Sequence, residues 1–180
     1  MTKIKSVTLT QFTFPAHNLA PSEPGSSIGG LFYAPEAQTD ISKQAVRIKT
    51  EDGCCGDYVL NWGASPAVLA QMQMLAPMLI GRHAEHRQGI FDDLKRELRQ
   101  FDHMGHGPLD IALWDWQGKQ LNCSIAALLG SYLHKLPAYA STYHGDRNGG
   151  LDSKEAFAEF ALACRDLGYT AFKIHGWHDG

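Results

Sequence analysis

The chain opens on alternation. Across residues 3–14, Ile4, Val7, Leu9 and Phe12 are interleaved with Lys, Ser, Thr and Gln, the two-residue period of a half-buried strand. Residues 42–50 and 57–62 read as two further strands, joined by EDGCCG, a turn signal with two glycines. Between the first two lies a stretch, residues 15–40, with Pro21, Pro24, Pro35 and the run GSSIGG. It reads as a long loop, and such a length inside a compact domain usually marks function or mobility. A three-stranded antiparallel meander is the simplest assembly. In a meander the ends of the first and third strands share an edge, so the 15–40 loop and the segment NWGAS at residues 61–65 are expected to be neighbours.

From residue 65 the period becomes helical. Ser65 followed by Pro66 is an N-cap with proline at the first helical position. Val68, Leu69, Met72, Leu75 and Leu79 then recur at three- and four-residue spacing, and Pro77 should end or kink that helix. A second helix is predicted over 85–101, with Ile90, Phe91, Leu94 and Leu98 on one stripe. A third begins at Pro108 and a short fourth at Ser124, stopped by Gly130. After Lys135 the pattern changes again. LPAYAST is a short strand of buried type, residues 153–167 form a helix stopped by Gly168, and YTAFKIH is another strand. Strand, helix and strand in so few residues imply a βαβ unit with parallel pairing.

The composition suits a folded chain with a sizeable core. Of 180 residues, 44% are hydrophobic and 19% charged, and 16 basic against 19 acidic residues leave a net charge of −3. No basic face for nucleic acid or an anionic membrane is expected from that balance. The longest apolar stretch, PAVLAQMQMLAPMLIG, is interrupted by glutamines and proline and falls short of the roughly 20 residues a membrane span requires. The N-terminus alternates and does not run into a secretion-type apolar core. Cys54, Cys55, Cys123 and Cys164 lack CxxC spacing and include an adjacent pair, which favours reduced thiols and a cytoplasmic setting.

Among candidate chemical groups, Lys173 and His175 are the sharpest pair. At i, i+2 on a strand both side chains point to one face, and they stand near the C-terminal end of a parallel strand, where α/β folds place their sites. A lysine beside a histidine can serve as a base; the competing reading is a lysine at a strand edge and a histidine satisfied in a loop. His83 with His86 and His103 with His106 form two HxxH pairs, but no third ligand has matching spacing for zinc. GSSIGG and NGG lack the order of a phosphate-binding loop, and there is no GxSxG elbow. Trp114 and Trp116 read as packing residues. Phe32, Tyr33 and Trp62 fall in the two segments expected to be neighbours, where they either line a ligand pocket or anchor the loops.

The order of elements, and above all the stretch GPLDIALWDWQGKQLNCSIAALLG, resembles the enolase superfamily in its mandelate racemase and muconate-lactonizing enzyme branch. The acidic residue, ALWD, GK and terminal LLG carry the likeness. Ser124 stands where a proline is usual, and Ala64 where a glutamate follows the WG of the third strand. The resemblance implies an α+β capping domain, a three-stranded antiparallel meander plus helices, over residues 1–130. Residues 131–180 would then be the first βαβ portion of a (β/α)₈ TIM-type barrel, apparently truncated, since a full barrel takes about 250 residues.

The resemblance also implies Mg²⁺ as cofactor, with its acidic ligands expected beyond residue 180 and no metal ligand assigned within the chain. Lys173 matches the first position of the family's Lys-x-Lys acid/base motif and His175 replaces the second lysine. Phe32, Tyr33, Trp62 and Tyr143 would be pocket walls. The implied activity of the intact protein is Mg²⁺-dependent dehydration of a hydroxylated carboxylate such as a sugar acid, by removal of the proton next to the carboxylate. A racemase or epimerase of a 2-hydroxy or amino acid derivative is the alternative. A non-catalytic truncated fragment is the reading from another class. The expected partners are a small-molecule carboxylate and further copies of the same chain, with no nucleic acid and no membrane.

Overall fold

The computed structural model describes residues 1–22, 30–61 and 64–175. Trp62, Gly63 and most of the GSSIGG run therefore lie outside the described residues. The chain divides into two units, one of Met1–Thr13 with Ile41–Tyr132 and one of Phe14–Asp40 with Leu133–Gly180.

Three strands, β1 (Ile4–Pro21), β2 (Leu31–Thr50) and β3 (Cys55–Val59), form one sheet in that order. β2 and β3 run antiparallel, with Ala45 opposite Val59 and Lys49 opposite Cys55. Cross-strand bonds between β1 and β2 show the same sense. Gln44 meets Gln11, Ser42 meets Thr13, Glu36 meets Asn18 and Gly30 meets Ser22, so one number falls as the other climbs. The antiparallel meander is as predicted, but the loop over residues 15–40 is not. Both strands continue well into that stretch as a two-stranded ribbon. Two of its prolines are absorbed: Pro21 is the last residue of β1, and Pro35 stands beside Glu36, which has φ 65° opposite Asn18 at φ 58°. The Asn18 side chain accepts the Glu36 N–H at 3.0 Å, so the irregular point keeps its backbone donor satisfied.

Helix α1 (Pro66–Leu75) starts at Ser65, whose hydroxyl accepts the Val68 N–H, and Pro77 falls in the tighter turn that ends it. It buries Val68, Met72 and Leu75. Helix α2 (Arg87–Glu97) buries Ile90 and Leu94. Helix α3 (His106–Leu121) begins before Pro108, which sits in its first turn where its missing N–H has no partner to lose. Helix α4 (Ile125–Leu128) is capped by Ser124, whose hydroxyl accepts the Ala127 N–H at 3.1 Å. Serine thus fills the capping position at which the resemblance leads one to expect proline. No helix among the described residues is long and apolar enough to cross a membrane, and all four cysteines are free thiols.

Helix α3 lies close upon β3. Gly56 faces Ala112 and Trp116 so tightly that an added Cβ would lie 2.6 Å from the Trp116 Cβ and against the Ala112 carbonyl. Trp116, 2% exposed, donates its indole N–H to the buried Thr50 hydroxyl at 2.9 Å. Its neighbour Trp114 is covered by the Arg87 guanidinium at 3.6 Å, which also pairs with Asp110 at 3.1 Å. The buried amide of Gln44 bonds Gln11 and both backbone groups of Ser65, so it carries no unpaired polar atom into the core. At the sheet's rim Asp57 meets Arg47 at 2.5 Å and Lys119 at 3.2 Å, while Lys119 also meets Asp115 at 2.6 Å.

In the second unit, β4 (Ala140–Ser141) and β5 (Phe172–Lys173) pair in parallel, Ala140 opposite Phe172 and Ser141 opposite Lys173. Helix α5 (Lys154–Asp166) connects them, capped by the Ser153 hydroxyl and closed by Gly168 at φ 98°. This is the predicted βαβ, paired over two residues on each strand.

Two outcomes follow from this packing. Gly56→Ala must displace backbone and indole together, so its urea midpoint, read by tryptophan fluorescence, is expected to fall by the equivalent of about 1–3 kcal/mol. The hydrogen bond from Arg47, opposed by partial burial and aided by Lys119, holds the Asp57 carboxyl below the ordinary carboxylate range. A depressed folded value means a stabilising contribution that is present above the unfolded pKa of about 3.9 and is lost as pH falls through the folded one. Urea midpoints measured from pH 7 downward should therefore drop in acid, and Asp57→Asn should flatten that slope.

Candidate functional site

The C-terminal ends of β4 and β5 bring together groups that no single stretch of sequence contains. Thr142, just past β4 and 7% exposed, gives its N–H to the Lys173 carbonyl at 3.0 Å and accepts the His175 N–H on its hydroxyl at 2.8 Å. The chain beyond β5 is thereby held to β4. The His175 ring then meets the His144 ring edge-on, centroids 4.7 Å apart at 86°. The Tyr143 ring lies 5.3 Å from His144, and the Tyr143 N–H is bound by the Asp146 carboxylate at 2.6 Å. A 3-10 turn, Asp146–Gly149, follows between Gly145 at φ 83° and Gly150 at φ 95°.

The ribbon reaches the same place. Tyr33 of β2 donates its N–H to the His144 carbonyl at 2.7 Å and receives the Asn148 side-chain amide on its own carbonyl at 2.8 Å. A Cβ on Gly145 would lie 2.9 Å from the Tyr33 nitrogen and 3.1 Å from the Phe32 ring. Phe32, Tyr33, Tyr143 and His175 are thus gathered around one turn. Lys173 stands two residues before His175, but its ammonium lies over the Tyr139 ring, 5.5 Å from the centroid, whereas His175 turns to Thr142 and His144. Trp62, the remaining expected wall residue, lies outside the described residues.

His175 Nδ1 and Asp146 Oδ2 are buried without a hydrogen-bond partner among the described residues. An imidazole nitrogen accepts or donates a hydrogen bond according to its tautomer. The histidines of the HxxH pairs lie ring to ring, 5.6 Å apart for His83 and His86 and 5.9 Å for His103 and His106. Among the described residues no group of three or more His, Cys, Asp or Glu is arranged to hold a metal ion, so these residues do not fit a magnesium site.

Sequence reasoning missed Thr142, His144, Gly145 and Asn148. The signal available was the glycine-rich turn directly after a predicted parallel strand, the end at which α/β sheets carry ligands.

The chain is 29% identical to the 3,6-anhydro-alpha-L-galactonate cycloisomerase of Streptomyces coelicolor, over 77% of this chain and 39% of that protein. Its structure resembles that of D-glucarate dehydratase from Agrobacterium tumefaciens complexed with magnesium, with a TM-score of 0.74, 25% identity, and coverage of 96% of this chain and 44% of that one. It also resembles a member of the enolase superfamily from Agrobacterium tumefaciens, with a TM-score of 0.70, 26% identity, and coverage of 97% and 48%. The chain spans less than half the length of each of these relatives. Residues 35–130 match the family described as mandelate racemase / muconate lactonizing enzyme, N-terminal domain, and the chain belongs to that family.

Proposed function

We propose that, in a protein of its relatives' length, this strand end serves the dehydration of a hydroxylated carboxylate, a sugar acid. The reaction begins with removal of the proton next to the carboxylate and ends with loss of the neighbouring hydroxyl as water. The observation that carries the reading is the end of β5, where Lys173 closes the parallel strand and the His175 ring, two residues on, has a buried Nδ1 with no hydrogen-bond partner among the described residues. Lys173 and His175 are the groups proposed to move the proton. Phe32, Tyr33, Trp62 and Tyr143 are proposed to bound the substrate. The substrate class is supported by two relatives whose names specify sugar acids, a galactonate derivative and glucarate.

Mg²⁺ belongs to the proposal as the cation that would meet the developing enediolate charge. Because the described residues do not fit a metal site, its ligands are proposed to come from beyond residue 180. A cytoplasmic location and self-association of the complete protein are proposed with it.

A second reading, isomerisation of a sugar acid, is favoured by the cycloisomerase relative. It begins with the same proton removal and keeps all the substrate's atoms.

Release of the substrate's α-proton, read by NMR in D₂O with Mg²⁺ and a sugar-acid panel including D-glucarate, tests both readings in a protein of the relatives' length. Lys173→Met and His175→Asn are each expected to slow that release by about 10²–10⁴-fold, the range of general acid–base catalysis. Release at the unaltered rate in both variants would overturn the reading. A dehydrated keto acid among the products selects dehydration, and a product isomeric with the substrate selects isomerisation.

A further inference from the structure

We infer that Gly145 and Asn148 are positioning residues, which fix Tyr33 of the ribbon in register with the His144–His175 ring pair. Both backbone polar groups of Tyr33 are bound by one turn: its N–H by the His144 carbonyl at 2.7 Å and its carbonyl by the Asn148 amide at 2.8 Å. A strand residue held at both its donor and its acceptor cannot slide by one position without losing both bonds.

Gly145 is required twice over. Its φ of +83° disfavours any side chain, and the space a Cβ would occupy is filled by the Tyr33 backbone. Gly149 leaves room for the Tyr33 ring, which would lie 3.0 Å from a Cβ there. The turn is itself braced. Asn148 N–H bonds the Gly145 carbonyl at 2.9 Å, Leu151 N–H bonds the Asp146 carbonyl at 3.2 Å, and the Asp146 carboxylate binds Tyr143 N–H.

The second half of the inference is the connection to His175. The residue that receives the Tyr33 N–H is His144, and its ring is the one set edge-on against His175. Among the described residues Asn148 has no bond to His175; its side-chain amide is tied to Tyr33, and Tyr33 to His144, so loss of that amide acts on His175 by way of the turn and His144. The ribbon that carries Phe32 and Tyr33 is in this way indexed to the group proposed to handle the proton. The relevance of this device to catalysis rests on the functional reading above, while the coupling itself is measurable without substrate.

The experiment uses the full chain, isotope-labelled, and reads the Tyr33 amide exchange rate and the His175 ring proton resonances by NMR. In the unaltered chain the Tyr33 amide should exchange far more slowly than in an unstructured peptide. Asn148→Ala, and Asn148→Asp, which keeps the shape but removes the donor, are each expected to speed Tyr33 exchange roughly tenfold. Both should also move the His175 ring signals. Unchanged Tyr33 exchange in both variants overturns the inference, as does faster exchange with His175 unmoved. Asn148 is exposed, so its truncation spares the core. Should a variant nevertheless unfold, an unprotected Tyr33 amide in the unaltered chain overturns the inference alone. If the coupling holds while the Lys173 and His175 variants still release the substrate's α-proton normally, the functional reading fails and this one stands.

Discussion

Gly56 sits where helix α3 leaves room for a hydrogen and nothing larger. Much of the first unit is arranged around that approach. With the helix so near, the Trp116 indole reaches the Thr50 hydroxyl at the end of β2, and the Asp115 carboxylate receives the Asp57 N–H at 2.7 Å. Lys119, one turn further along the helix, bridges Asp115 and Asp57, while Gln120 binds the Asp52 carboxylate in the β2–β3 turn. A helix seated even an ångström higher would forfeit this series of bonds and open a gap among Leu109, Ala112 and Leu113, all essentially inaccessible to solvent. Dispersion contacts fall off steeply over such a distance.

Elements whose logic is local were readable from the residues. Ser65-Pro66, Ser124 and Ser153 announce three helix starts because a cap is a contact between residues three apart, and all three hydroxyls make it. The ribbon was not readable, since strand pairing between Asn18 and Glu36 or Ser22 and Gly30 joins residues that share no periodic pattern. Proline at 15, 21 and 35 and left-handed residues at 18 and 36 erase the alternation that reveals a strand.

The candidate site divides the same way. The placement of Lys173 and His175 at a strand end follows from spacing along one segment. Thr142, His144 and Asn148 matter through the path of a turn and the ribbon that meets it, and a hydrogen bond between residues 115 positions apart leaves no local trace. The arrangement also illustrates how a mostly aromatic enclosure is kept in order. The Tyr143 ring is tilted against His144 and the His144 ring set edge-on against His175, an arrangement that sets orientation but exerts little restoring force along the ring planes. Rigidity comes from the backbone bonds beneath them, at Thr142, Asp146 and Tyr33.

The paired left-handed residues of the ribbon, Asn18 and Glu36, have a consequence outside chemistry altogether. A long two-stranded ribbon presents rows of backbone donors and acceptors along its outer edges, the template on which a foreign strand adds and aggregation begins. Turning the peptide planes at Asn18 and Glu36 breaks the straight row midway, and places a carboxylate at the break. An incoming strand would find neither a continuous register nor a neutral edge. The irregularity that hid the ribbon in the sequence thus helps keep the folded chain from associating edge to edge.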